Sequence, residues 1–205
     1  MQQKMPIPPY PPLCFFVICT LLLTPWSLRA SEDPYASVRK PLETCFGCHG
    51  ENGISNDSQY PILAGQEFYY LYVQLKDYKS GLRSNPIMSP MASGFERSDL
   101  KLLAQFFSEQ AWPDGAPTET SPEQTNQALA AITAGQCVAC HLSGFEGNSR
   151  IPRARGQHRA YLEKTLLDFK SKARNNSPAK SSLMASMSDE EIASMAAYLA
   201  GMAPP

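Results

Sequence analysis

The sequence predicts an all-α protein built as two tandem units, each a small helical bundle. Three observations carry that reading. The chain repeats itself at an offset of 91 to 92 residues, the mark of a duplicated unit. The repeated apolar positions follow helical spacing, and nothing around them alternates like a strand. Each copy also holds the same short motif, C-x-x-C-H, at residues 45–49 and again at 137–141.

Ahead of the first unit the chain does not read as fold. Lys4 gives a positive start, residues 13–23 form an apolar run broken only by Thr20, and Ala30 precedes the charged stretch at 31–33. This is the layout of a secretory signal peptide, assigned to residues 1–30. The run is shorter than the ~17–25 apolar residues that span a bilayer. Leu28, three residues before the cut, makes the cleavage site imperfect, and an uncleaved anchor is the competing expectation. Neither Cys14 nor Cys19 follows the small residues of a lipoprotein site. The mature chain is expected in the periplasm.

Unit one is assigned to residues 31–110 and unit two to 124–205. Tyr60-Pro61-Ile-Leu-Ala-Gly65-Gln66 returns as Ile151-Pro152-Arg-Ala-Arg-Gly156-Gln157. Tyr70-Leu71…Leu75…Asp77-Tyr78-Lys79-Ser80…Arg83…Asn85 returns as Tyr161-Leu162…Leu166…Asp168-Phe169-Lys170-Ser171…Arg174…Asn176. Phe68, Leu71, Leu75 and Tyr78 share one helical face, as do Leu162, Leu166 and Phe169. Asp99-Leu100…Leu103-Ala104…Phe106 pairs with Glu191-Ile192…Met195-Ala196…Tyr198, and Ser188 with Glu191 forms a capping box for the last helix. A helix at 126–133 should lead into the second motif. Its counterpart at 35–44 contains Pro41, so it should be short or kinked. Between the units, 111–123 carries Pro113, Asp114, Gly115, Pro117, Ser121 and Pro122, a linker composition.

The cysteines narrow the chemistry. Without Cys14 and Cys19, the mature chain holds Cys45, Cys48, Cys137 and Cys140, and a histidine follows each pair. C-x-x-C-H is the attachment signature of haem c. Two thiols add across two vinyl groups of one porphyrin, so they stand about a helical turn apart, and the next residue supplies an imidazole to the iron. A zinc site or a redox dithiol is the bland alternative. Zinc wants four ligands, and a dithiol wants a βαβ setting that is absent here. Two covalent haem c groups are therefore expected, with His49 and His141 as proximal ligands. With about 80 residues per unit the core would be marginal, and a buried haem adds the missing apolar area.

The remaining histidine, His158, reads as a surface residue near a helix start, so the sixth ligands should be methionines. Each unit has an M-x-x-M before its last helix, Met88-Ser-Pro-Met91 and Met184-Ala-Ser-Met187. Counting back from the last helix in register with unit one lands on Lys180, excluded here as a ligand, so a register slip and a shorter second loop are expected. Met184 is favoured over Met187, which would pack as a staple beside the cap.

The order of these motifs resembles the dihaem cytochrome c4 family over residues 36–202. The resemblance implies two tandem cytochrome c domains, each a helical bundle around one covalent haem, with no enzymatic activity. It implies Met88 as the iron ligand of unit one, and Pro61 and Pro152 as the prolines whose carbonyls accept from the proximal histidines. It also implies redox protein partners: electrons pass between a quinol-oxidising cytochrome bc complex and a terminal oxidase, with the carrier peripheral to the membrane through those complexes. A dihaem subunit of an oxidoreductase such as flavocytochrome c sulfide dehydrogenase is the alternative. A dihaem peroxidase would need an open iron site. The net charge of −1 gives no pull toward nucleic acid. Its distribution is uneven: 31–109 holds 7 basic and 10 acidic residues, 124–205 holds 9 and 6. Arg150, Arg153 and Arg155 either neutralise propionates of the second haem or steer an acidic partner.

Overall fold

The computed structural model describes residues 33–114 and 119–203, so the expected signal peptide and part of the expected linker lie outside them. The described residues form helices joined by turns, with one isolated bridge between Asn148 and Ile151 and no strand. None of these helices is long and apolar enough to cross a membrane.

In unit one a 3-10 turn, Ala36–Val38, leads into α1, Arg39–His49. Pro41 falls in the first turn of α1, where its missing N–H has no acceptor in the helix. The helix therefore starts late instead of kinking, and then runs unbroken through the motif. Three helices follow: α2 (Phe68–Ser80), α3 (Met88–Ser93) and α4 (Arg97–Ser108), the last closed by a Glu96–Asp99 capping box.

Unit two opens with α5 (Pro122–Ala134), capped by Ser121, so a helix forms where one was expected. It does not run into the motif. Gln136 turns left-handed at φ 49°, and the motif sits on its own four-residue helix α6 (Val138–His141). Then come α7 (Arg159–Lys170), α8 (Pro178–Ala185) and α9 (Asp189–Ala200), the last opened by the expected Ser188–Glu191 box.

Each unit has its own core. Val38, Leu42, Leu71, Leu103, Ala104 and Phe107 cluster in the first. Ala128, Ile132, Phe169, Ile192, Met195 and Leu199 cluster in the second. Each large apolar side chain buried there is worth roughly 1.5–3 kcal/mol. In unit two the last helix packs on both α5 and α7. In unit one α4 packs on α2 and the opening turn, and α1 reaches it through Phe46, whose ring lies 5.8 Å from Phe106 and 6.2 Å from Phe107.

The seam between the units is polar and nearly two-fold. Gln66 Nε2 donates to the Arg153 carbonyl at 2.9 Å, and its Oε1 accepts from the Arg153 N–H at 2.7 Å. Gln157 does the same to Ile62, at 3.0 and 2.9 Å. Ile62 and Arg153 are equivalent at the offset of 91, so each repeated glutamine clasps the other unit's copy of one residue. His158 is not the free surface residue expected. It is half-buried, and its Nε2 lies 2.9 Å from the Ser55 carbonyl across the seam. Nor is the start of the linker loose, since Arg153 stacks over Trp112 at 5.1 Å.

Candidate haem site

Both motifs open onto one cavity of about 740 Å³, within the usual range for a cofactor pocket. Cys45, Cys48 and His49 line it, as do Cys137, Cys140 and His141. All four described cysteines are free thiols. Helix α1 sets Cys45 and Cys48 three residues apart, about one turn, with His49 next. Short α6 does the same for Cys140 and His141.

The histidines are held alike. His49 Nδ1 lies 2.9 Å from the Pro61 carbonyl, and His141 Nδ1 lies 3.1 Å from that of Pro152. A carbonyl only accepts, so each Nδ1 carries the hydrogen and each Nε2 keeps its lone pair. Burial pushes the His49 pKa down, and the Pro61 bond opposes it only in part. His141 is pushed down to about 4 by burial and then by the charge of Lys180. Neutral imidazole is the form that binds a metal.

Met88 begins α3, and Asn85 Oδ1 accepts from the N–H groups of Ile87 and Met88, both at 2.9 Å. Met88 and Met91 line the cavity, as does Met184 of α8. Met187 does not: it is buried in the core of unit two, its methyl against Gly135.

The expected register slip is absent. Pro86 and Pro178 stand 92 apart, as do the capping residues Glu96 and Ser188. The bond from the Phe95 N–H to the Ala92 carbonyl is matched by one from Met187 to Met184. The single inserted residue lies earlier, between Arg174 and Pro178, so the second loop is not shortened before its helix. Lys180 therefore holds the position of Met88, and Met184 that of Ala92.

Two residues carried through the repeat without a role prove central. Arg83 and Arg174 are both buried at the seam, stacked on Tyr78 at 4.5 Å and Phe169 at 4.4 Å. Gln74 Oε1 accepts from Arg83 at 2.9 Å, Arg174 at 2.7 Å and Asn176 at 3.1 Å. Neither arginine has an ion pair among the described residues, and Arg174 Nη1 is buried without any partner. Buried cations and an orphaned donor on the wall of an apolar cavity fit the carboxylates of a haem. Recurrence of an arginine beside a buried helical face was the available signal. Of the arginines expected there, Arg153 does line the cavity, while Arg155 Nη2 donates to the Ala203 carbonyl.

Paired thiols, lone-pair imidazoles and buried cations around one cavity define a c-type cytochrome. A family model described as Cytochrome c matches residues 127–203. Cytochrome c4 of Azotobacter vinelandii is 32% identical over 90% of this chain and 98% of its own. The thiosulfate dehydrogenase electron acceptor of Stutzerimonas stutzeri is 30% identical over 77% of this chain and 78% of its own. The crystal structure of reduced recombinant cytochrome c4 from Pseudomonas stutzeri is 28% identical, with a TM-score of 0.71 over 81% of this chain and 97% of that one. The chain belongs to the cytochrome c4 family. It is an electron carrier with two covalent haem c groups, not an enzyme.

Proposed function

We propose that this protein is a periplasmic carrier whose two cytochrome c domains, 31–110 and 124–205, pass electrons between respiratory complexes. A quinol-oxidising cytochrome bc complex as donor and a terminal oxidase as acceptor are the partners proposed, with the carrier peripheral to the membrane. The carrying observation is that both C-x-x-C-H histidines, His49 and His141, line one cavity together with Met88 and Met184. Bound haem supplies a one-electron iron couple. The residues attach it, orient the imidazoles through Pro61 and Pro152, and exclude water with apolar walls. Met184 is the thioether proposed for unit two, because both methionines are buried but Met184 lines the cavity and Met187 does not. A second reading, the electron-accepting subunit of an oxidoreductase complex, is favoured by the likeness to a thiosulfate dehydrogenase electron acceptor.

Mass spectrometry of the mature protein should show two haems, and its ferric spectrum should be low-spin and six-coordinate. One haem, or a mainly high-spin spectrum, sinks the reading. In the ferrous protein Met184→Ala should weaken ligation of the second haem, while Met187→Ala should leave it intact.

A further inference from the structure

Lys180 is a cation in a place where a cation is awkward. It lines the cavity on α8, one helical turn before Met184, with Cys140, His141 and Phe169 on the same wall system. Its Nζ stands 5.5 Å from the Phe169 ring centroid. Among the described residues it has no carboxylate within ion-pair reach. Arg174 and Arg83 repel it, while Tyr161 and Cys140 stand near enough to act in the opposite sense.

Its place in the repeat is sharper still. The offset of 92 holds from Pro86/Pro178 to the capping boxes of the last helices, and within it Lys180 answers to Met88. Burial matches along the same stretch: Ala92 and Met184 are both buried, at 1% and 4% exposure, while Met88 and Lys180 are both half-buried. Met184 thus occupies a core position that unit one fills with a methyl group. Lys180 occupies the position from which unit one offers its sulfur.

We infer that Lys180 Nζ is the distal donor to the ferric iron of the second haem, competing with Met184 for it. This rests on the haem reading above and deepens it. A neutral amine is a harder donor than a thioether and suits Fe(III), whereas sulfur suits the softer Fe(II). To ligate, the ammonium must lose a proton to solvent. The two haems of one chain would then differ in axial chemistry, sulfur at the first and nitrogen at the second.

The test is the ferric holoprotein by near-infrared and electron paramagnetic resonance spectroscopy, with haem content by mass. Wild type should show the methionine–Fe(III) charge-transfer band of one haem only, beside a second low-spin haem with two nitrogen ligands. Lys180→Met should raise the band to that of two haems. Lys180→Ala should abolish the nitrogen-ligated signal, leaving a thioether-ligated or high-spin second haem. Two haems by mass with two thioether bands in wild type would overturn this inference alone. So would a ferric spectrum unchanged in Lys180→Ala, which would leave Lys180 a counter-ion of haem carboxylates. One haem by mass would overturn the haem reading as well.

Discussion

At the residue after each C-x-x-C-H the backbone takes a positive φ in both units, Gly50 at φ 75° and Leu142 at φ 66°, each with an extended ψ. Three residues later the pattern recurs with Gly53 at 84° and Phe145 at 53°, and after α2 and its counterpart α7 with Gly81 at 78° and Lys172 at 62°. At all three places unit one has glycine and unit two does not. A side chain in this region costs about 1–2 kcal/mol. Only Gly65 and Gly156 are glycine in both units, and there the N–H donates to the last helix, to Phe107 and Leu199, at 2.8 Å in each case. The Gly53 pair shows what unit two gains. A methyl on Gly53 would lie 2.6 Å from the Phe107 ring, which already fills that space from α4. In unit two the equivalent of Phe107 is Leu199, and the aromatic comes from the loop: Phe145 is 4% exposed and its ring stacks 5.9 Å from that of His141. One backbone accepts two packings because the aromatic ring comes from the last helix in unit one and from the loop in unit two.

That exchange can be broken from either side. Gly53→Ala should cost unit one about 3 kcal/mol, since strain at positive φ adds to overpacking. The methyl would also sit 2.9 Å from the Ala64 backbone nitrogen. Adding Phe107→Leu should recover part of the loss, because the ring is the neighbour that can give way. Denaturant midpoints of the holoprotein would report both. No loss in the single variant would mean the two units are not packed by this trade. Phe145→Gly should cost less, about 2 kcal/mol: the ~3–5 kcal/mol of a deleted buried ring is offset by relief of the left-handed strain. It should also disturb the His141 environment, visible as a shift in one of two haem signals by nuclear magnetic resonance. A shift in neither would disconnect Phe145 from the histidine.

What could be foreseen was what is local. Both motifs, the amphipathic faces and the Ser188 cap are short-range patterns, and chemistry or geometry dictates their spacing. The delayed start of α1 follows from Pro41 alone. The seam was not legible, because Gln66, Gln157, Arg83 and Arg174 find partners 78 to 104 residues away in the other unit. His158 failed for the same reason: nothing beside it in sequence announces Ser55. The break before α6 was missed because Gly135 and Gln136 are weak signals beside a strongly helical run. The register at Lys180 was readable from the prolines, but the reading excluded lysine as a ligand and so moved the register instead.

The smallest expected effect tests whether the left-handed turns are costly at all where no packing follows. Lys172 is exposed and its side chain makes no hydrogen bond or ion pair among the described residues, so that side chain contributes little in the fold. Its turn is the same as that of Gly81, for Arg83 N–H donates to Asp77 and Arg174 N–H to Asp168 across it, at 3.1 and 2.9 Å. A methyl on Gly81 would meet nothing within 4 Å, so conformation alone separates the two positions. Lys172→Gly relieves about 1–2 kcal/mol of strain but frees the unfolded chain by about 0.4–1 kcal/mol. The net gain should be roughly 0.5–1 kcal/mol, and Gly81→Ala should lose a similar amount. Paired denaturation curves of the holoprotein decide it. Opposite shifts of similar size would mean that unit two carries strain at its surface without return. If Gly81→Ala is costly and Lys172→Gly is neutral, the lysine has a compensating role, and the asymmetry between the units extends beyond the Phe145 exchange.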